Sequence, residues 1–274
     1  MNTPATITEV LGRSEQGMTR PFICQVNQWN ICYVKGAYAG QRSLCCEWVA
    51  GWLANAILPG LPSGASPIGV PPIEIAEVPR ALIDASARKD IRDLGAGTVF
   101  ASWRMEGAQE LSWSSAQGWP DETMAALLLL DLWIQNEDRS LSAQGGNPNL
   151  MVTQIPPLPD WDEEGALWKD IPRREMLWAY DFNLAFDDQF DRARFFDAHV
   201  FGGMLKQWPE GFRERMEPRL RAALERLPKL FDELPPEWLH LDGDDTLPVQ
   251  LDINRVSSVL SLPFTEPDTF WKLP

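Results

Sequence analysis

Between residues 128 and 152 the chain reads LLLDLWIQNEDRSLSAQGGNPNLMV, and the groups there that could do chemistry are a carboxylate, a guanidinium and two amides. Asp138 is followed directly by Arg139, and Asn147 and Asn149 flank Pro148 just before the apolar run that starts at Leu150. A lone acid closes a second apolar segment, Trp178-Ala179-Tyr180-Asp181-Phe182-Asn183. Phosphoryl transfer needs a carboxylate to position the attacking hydroxyl and oxygen ligands to hold magnesium on nucleotide phosphates. Asp138, the Asn147/Asn149 pair and Asp181 could supply all of these. An acid at the C-terminal end of an apolar helix opposes the helix dipole, so something other than helix stability retains Asp138. Asp181 lies in the apolar neighbourhood Leu177 to Phe186, where an unpaired carboxylate is costly; a cation is the favoured partner.

Upstream, Lys35 ends an apolar alternating segment, and Glu47 follows twelve residues later in a helical stretch. The pair reads as a strand lysine that holds nucleotide phosphates and a helix glutamate that anchors it. The turn Ser14-Glu15-Gln16-Gly17-Met18-Thr19-Arg20 could cover phosphates with backbone N–H groups, although it contains neither GxxxxGK nor GxGxxG.

These residues need strands and helices to hold them. Composition predicts strands over 7–10, 22–26 and 31–35, the last two forming a hairpin through Asn27-Gln28-Trp29-Asn30. A helix is predicted over 43–57 with Ser43 as N-cap, followed by a strand over 73–78, after which Pro79 begins a crossing. From about residue 80 the pattern reads as mainly helical: a core helix over 121–136, then helices near 188–206, 210–230 and 250–262. The proline- and charge-rich stretch 154–174 reads as a surface loop between two strands.

Composition bounds the function. A chain of 274 residues is one large domain or two lobes sharing a cleft. Its net charge of −15 argues against adhesion to nucleic acid or anionic membrane, and no apolar run approaches the ~18 residues of a membrane span. The N-terminus lacks the basic and apolar regions of a signal peptide. The four cysteines show no CxxC spacing, which suggests buried, reduced thiols in a cytoplasmic protein. His199 and His240 lie away from the acid clusters in sequence, which disfavours histidine-based catalysis or a histidine-ligated metal.

Taken together, Thr19-Arg20-Pro21, Tyr33-Val34-Lys35-Gly36, Cys46-Glu47-Trp48-Val49-Ala50, Val70-Pro71-Pro72-Ile73-Glu74-Ile75, Asn136-Glu137-Asp138-Arg139, Asn147-Pro148-Asn149-Leu150 and Asp181-Phe182-Asn183-Leu184-Ala185-Phe186 resemble the HipA-like kinases, in that family's order. The resemblance implies an α+β, two-lobed, protein-kinase-like fold, with a β-rich N-lobe over 1–79 and a larger helical C-lobe over 80–274. It implies a magnesium-dependent transfer from ATP to a serine or threonine hydroxyl of a protein. Lys35 would contact the ATP phosphates and Glu47 would anchor it. Asp138 would be the catalytic base, Asn147 the amide metal ligand, with Asn149 beside it, and Asp181 the main metal-binding acid. The strand from Glu74 through Glu77 to Val78 would carry the adenine-binding hinge.

The chain departs from the family's kinase pattern in the loop after Asp138, where Ser140 and Ser142 follow the Asp-Arg pair in place of the histidine of related atypical kinases, and above all in the spacing. HRDxxxxN puts acid and asparagine five apart; here Asn147 lies nine and Asn149 eleven residues after Asp138. The residues around Ser142 to Gly146 must therefore bulge out. That insertion is the feature that favours an alternative, a nucleotide-binding pseudokinase or interaction module, and Lys35, Asp138 and Asp181 count against it. A small-molecule kinase on the same scaffold is a further alternative. The resemblance also brings an antitoxin or other regulatory protein into view as a partner, without direct contact to nucleic acid.

Overall fold

A computed structural model describes residues 5–15, 17–61, 67–155, 174–242, 244 and 246–274. Three strands open the chain: β1 (Ala5–Arg13), β2 (Phe22–Val26) and β3 (Asn30–Lys35). Helix α1 (Gln41–Ile57) follows, then β4 (Ile68–Gly69), β5 (Ile73–Val78), the short α2 (Arg80–Ala85) and β6 (Gly97–Trp103). Strands β1, β2, β3, β6 and β5 close into a barrel in that order, all pairs antiparallel except β1 with β5.

The two-residue period of a strand decides what each face of the barrel does. Phe22, Cys24 and Val26 of β2 and Cys32 and Val34 of β3 point inward, into a small core shared with Ile7, Ala76, Val78, Val99 and Ala101. Lys35, one residue past Val34, therefore points out of the barrel. Its register partner across the ladder is Phe100, which packs into the second and larger core.

That larger core begins at α1. Ten of its residues are buried, and they include Glu47. A helix apolar nearly all round is one covered on more than one side, and α1 packs against β5 and β6 on one flank and the helix Phe212–Asp232 on another. Gly51 permits the close approach, since a Cβ there would lie 2.9 Å from Ile73 Cδ1. The helix begins at Gln41 after Gly40, so Ser43 sits inside its first turn and is not the N-cap.

The remainder is mainly helical, as the pattern led one to expect, with short strands set between the helices. Strand β7 (Gln109–Glu110) and the helical turn α3 (Trp113–Ala116) lead into α4 (Asp121–Trp133), which is buried from Thr123 to its end. Next come β8 (Ser140–Ser142) and β9 (Gly145–Asn147), a two-stranded hairpin, and β10 (Leu150–Ile155) and β11 (Arg174–Ala179), an antiparallel pair extended by β4 and β7. The proline-rich stretch expected as a loop lies, over 156–173, outside the described residues. Helices α5 (Arg192–Ala198), α6 (Phe212–Asp232), α7 (Ile253–Thr265) and α8 (Pro267–Phe270) complete the chain. The barrel thus extends past residue 79, because β6 is hydrogen-bonded to both β3 and β5. Among the described residues no helix is long and apolar enough to cross a membrane.

Candidate active site

Strand parity puts Lys35 on the outer face of the barrel, and α1 puts Glu47 opposite it. Lys35 Nζ forms an ion pair with Glu47 Oε1 and reaches Asp181 Oδ1 at 2.6 Å. The other oxygen of Glu47 accepts from the Phe182 backbone N–H at 3.0 Å. One glutamate therefore holds both the lysine and the backbone next to Asp181. The segment after Asp181 is tied down as well: Arg42 of α1 and Arg255 of α7 both donate to the Phe186 carbonyl, at 3.0 and 2.9 Å.

The electrostatics follow from burial and company. Burial works against the Lys35 ammonium, but two carboxylates outweigh it and hold its pKa above the ordinary lysine value. Burial pushes Glu47 upward, opposed by Lys35 and reinforced by the charge of Asp181. For Asp181 burial is overcome by Lys35, so its pKa is lowered and the carboxylate stays ionised.

Asp138 follows α4 on a short polar connection. Its Oδ2 accepts from Asn149 Nδ2 at 3.0 Å, and its pKa is raised, first by burial and then by the nearby charge of Asp181. The lengthened loop is taken up by the β8–β9 hairpin, so Asn149 returns to Asp138 although eleven residues separate them. Asn149 is 2 % exposed and precedes β10, whereas Asn147 ends β9 on the exposed side of the hairpin. Asn149 and Asp181 both have positive φ, 48° and 59°. Such backbone costs about 1–3 kcal/mol per residue, and less for Asn and Asp than for others.

A cavity of about 480 Å³ joins these groups. Lys35, Glu47, Asp181, Asn147 and Asn149 line its polar side; Val70, Ile73, Phe100, Trp103 and Met151 line its apolar side. Ser14, Gly17 and Pro21 of the β1–β2 turn reach it too. Asp138 does not line it and is joined to it through its hydrogen bond with Asn149. The residues expected to form a hinge do not line it. Val78 points into the barrel, Glu77 is exposed, and Glu74 accepts from Trp103 Nε1 at 3.1 Å. Of the barrel strands β6 gives the most to the wall, through Phe100, Ser102 and Trp103, with Tyr33 and Lys35 of β3 and Ile73 of β5 beside it; beyond it Ala108 and Glu110 continue the wall.

Sequence reading missed a buried polar cluster next to this site. Arg139 is fully buried and pairs not with Asp138 but with Asp131 of α4, Nε to Oδ2 at 2.7 Å. Asp131 also accepts from Asn136 Nδ2 and contacts His199 Nε2, each at 3.0 Å. His199 therefore lies against an acid, contrary to its separation in sequence. The signal was there: Asp131 is a lone carboxylate in the apolar run from Thr123 to Trp133, and a buried acid needs a partner.

The oxygen chemistry of Asp181 and Asn149 fits magnesium, which binds through one or two carboxylates plus substrate phosphates and not through a full protein cage. The cavity volume fits a nucleotide-sized ligand. The sequence matches a family described as HipA-like kinase over residues 7–156 and 166–274, nearly the whole chain, and the protein belongs to that family. No curated protein matches it.

Proposed function

We propose that this HipA-like kinase transfers the γ-phosphoryl group of ATP, with magnesium, to a serine or threonine hydroxyl of a protein. The observation that carries the reading is the Lys35 ammonium shared between Glu47 and Asp181, with the Asp138–Asn149 pair beside the same cavity. The fold is then two lobes around that cavity. The expected division at residue 79 moves past Trp103, so that β6 stays with its barrel partners.

In this reading Lys35 binds phosphate oxygens while Glu47 keeps its ammonium in place. Asp181 and Asn149 would hold magnesium, with Asn147 a lesser contributor at the rim. Magnesium ATP supplies the transferable phosphoryl group and the neutralisation of its charge. Asp138 orients the acceptor hydroxyl and takes its proton at the carboxylate, a role that a raised pKa suits. Val70, Ile73 and Met151 offer the base an apolar slot. The hairpin supports turnover over a pseudokinase, because it lets the insertion loop out while Asn149 stays on Asp138. Four buried, unpaired cysteines support a cytoplasmic location. A protein acceptor, and an antitoxin or other regulatory partner, come from the family resemblance.

Magnesium ATP should raise the melting temperature by ligand linkage. Label from γ-labelled ATP should pass to a serine/threonine peptide library, and Asp138→Ala and Asp181→Ala should abolish that transfer. No heat of binding and no transfer from the wild type would end the reading.

A further inference from the structure

Backbone at Asn149 and next to Asp181 is held by one side chain, and that side chain belongs to the chain neighbour of Asp138. Arg139 follows Asp138 in the chain, and its Nη1 donates to the carbonyl of Asn149 and, at 3.3 Å each, to those of Pro148 and Tyr180, the last being the residue before Asp181. Its guanidinium also sits over the Phe182 ring, 5.2 Å from the centroid. Asn149 and Asp181 are two of the non-glycine residues held at positive φ, so the carbonyls Arg139 binds belong to backbone that needs holding.

The guanidinium is itself fixed from behind. Asp131 takes Nε at 2.7 Å and Nη2 at 3.4 Å, using both carboxylate oxygens. His199 Nδ1 accepts from the Phe201 N–H at 3.1 Å, which leaves the ring hydrogen on Nε2 to be donated to Asp131. His199 is thereby a neutral brace. Its segment also joins the loop through backbone: Val200 N–H donates to the Arg139 carbonyl at 3.0 Å, and Ser140 bridges His199. Arg139 and Asp131 are 0 % exposed and His199 5 %. A buried ion pair this well sealed is weak as a source of stability, since hydrophobic replacements often do as well; its value lies in geometry.

We propose that Arg139, braced by Asp131 and His199, is the positioning residue that sets Asp138, Asn149 and Asp181 relative to one another. The proposal rests on the phosphotransferase reading for its kinetic consequence, but not for its structural one. Lysine at 139 would keep the charge opposite Asp131 and lose the fork, so it could not bind the carboxylate and three carbonyls together.

The test compares wild type, Arg139→Lys, His199→Gln and His199→Leu in turnover of γ-labelled magnesium ATP with the peptide library. Misplacement on the ångström scale costs about 100-fold in rate, so Arg139→Lys is expected to lose about that in kcat with KM for ATP little changed. His199→Gln, which keeps a donor for Asp131, should retain clearly more kcat than His199→Leu. Wild-type kcat in a folded Arg139→Lys overturns the proposal. If that variant does not fold, equal kcat in the two His199 variants overturns it. If wild type shows no turnover, the kinase reading falls alone, and amide exchange decides this one. The Tyr180 N–H, bonded to the Asn149 carbonyl, and the Phe182 N–H, bonded to Glu47, should lose protection in Arg139→Lys. Unchanged protection at both would refute the brace.

Discussion

Replacing Asp138 by asparagine should make the protein more heat-stable at neutral pH while removing its turnover. The change keeps shape and removes charge. What is lost is the difference between a charged and a neutral acceptor for Asn149 Nδ2 at 3.0 Å, about 1 kcal/mol, together with attraction to Arg139 and Lys35. What is gained is relief from burying a carboxylate and from its repulsion by Asp181. The raised pKa of Asp138 says that the gains exceed the losses, because it sums the same terms. Linkage sets the pH dependence. A carboxyl whose pKa is higher folded than unfolded favours the fold below its unfolded value of about 3.9, and that favour is lost as pH rises through the folded value. The asparagine variant should therefore gain at pH 7.5 and converge with wild type towards pH 4. Asp138 is half-buried and partly screened by water, so the gain is about 0.5–2 kcal/mol, the usual range for relieving a functional residue. For a chain of this size that is a rise of about 2–4 °C per kcal/mol. Turnover should fall by about 10²–10⁴, the contribution of a positioned base. Paired thermal melts at the two pH values and a single-turnover assay decide it. An asparagine variant less stable than wild type at pH 7.5, or a gap that persists unchanged at pH 4, would refute the account of Asp138.

Glu47→Gln leaves one acceptor oxygen for two donors, Lys35 Nζ and Phe182 N–H, so one of them meets an NH₂ and nucleotide affinity should weaken by about tenfold, the equivalent of one ordinary hydrogen bond; calorimetry with magnesium ATP measures it, and an unchanged Kd counts against the bridge. Asn149→Ala should cost turnover far more than Asn147→Ala, because only Asn149 is buried against Asp138; equal losses in a kinetic comparison would move the amide ligand to the hairpin. Gly36→Ala would place a Cβ 2.0 Å from the Leu94 carbonyl oxygen, and should lower stability by about 1–3 kcal/mol in denaturant titration, the cost of overpacking; a silent substitution would mean that the 91–94 segment moves freely. Burial first, then Arg139, hold the His199 pKa below 6.5 against the pull of Asp131. Its stability contribution is thus present above about pH 6.5 and lost as pH falls, at no more than about 1.4 kcal/mol per pH unit. His199→Gln should flatten that slope in melts between pH 7 and 5.

Much of the barrel was legible because alternation is a local property. The strands over 22–26 and 73–78 agree with β2 and β5 to the residue, and Lys35 falls at the end of β3 as read. Helix ends were less legible. α4 stops at Trp133, three residues short of the expected end, because Gln135 turns to positive φ and Asn136 N–H bonds the Asp131 carbonyl. β6 was missed altogether: Gly97-Thr98-Val99-Phe100-Ala101-Ser102-Trp103 is buried on much of both faces, and without clean alternation a short apolar run says little. The hinge residues that the resemblance implied, Glu74, Glu77 and Val78, sit on the strand next to β6 and do not line the cavity.

The site shows the same division between local and non-local information. Lys35, Asp138 and Asp181 each carried a local oddity: a lysine ending an apolar strand, and acids where dipole or burial disfavours them; Glu47 was marked only by its spacing from Lys35. The structure brings Lys35, Glu47 and Asp181 into one contact group. The choice between Asn147 and Asn149 carried no such mark, because it depends on whether the insertion pairs with itself. Gly145 and Gly146 allow β9 to fold back on β8, and only then does Asn149 fall beside Asp138. Asp131 did carry the mark, a lone acid within an apolar helix, and the reasoning that singled out Asp181 applies to it unchanged. Its partners were hidden differently. Arg139 was read as the neighbour of Asp138, and adjacent residues in a loop seldom share a direction. His199 stands sixty-eight residues from Asp131, beyond any periodicity. A buried acid in a sequence therefore announces that a cation or donor must come to it, while which residue comes is settled by the fold.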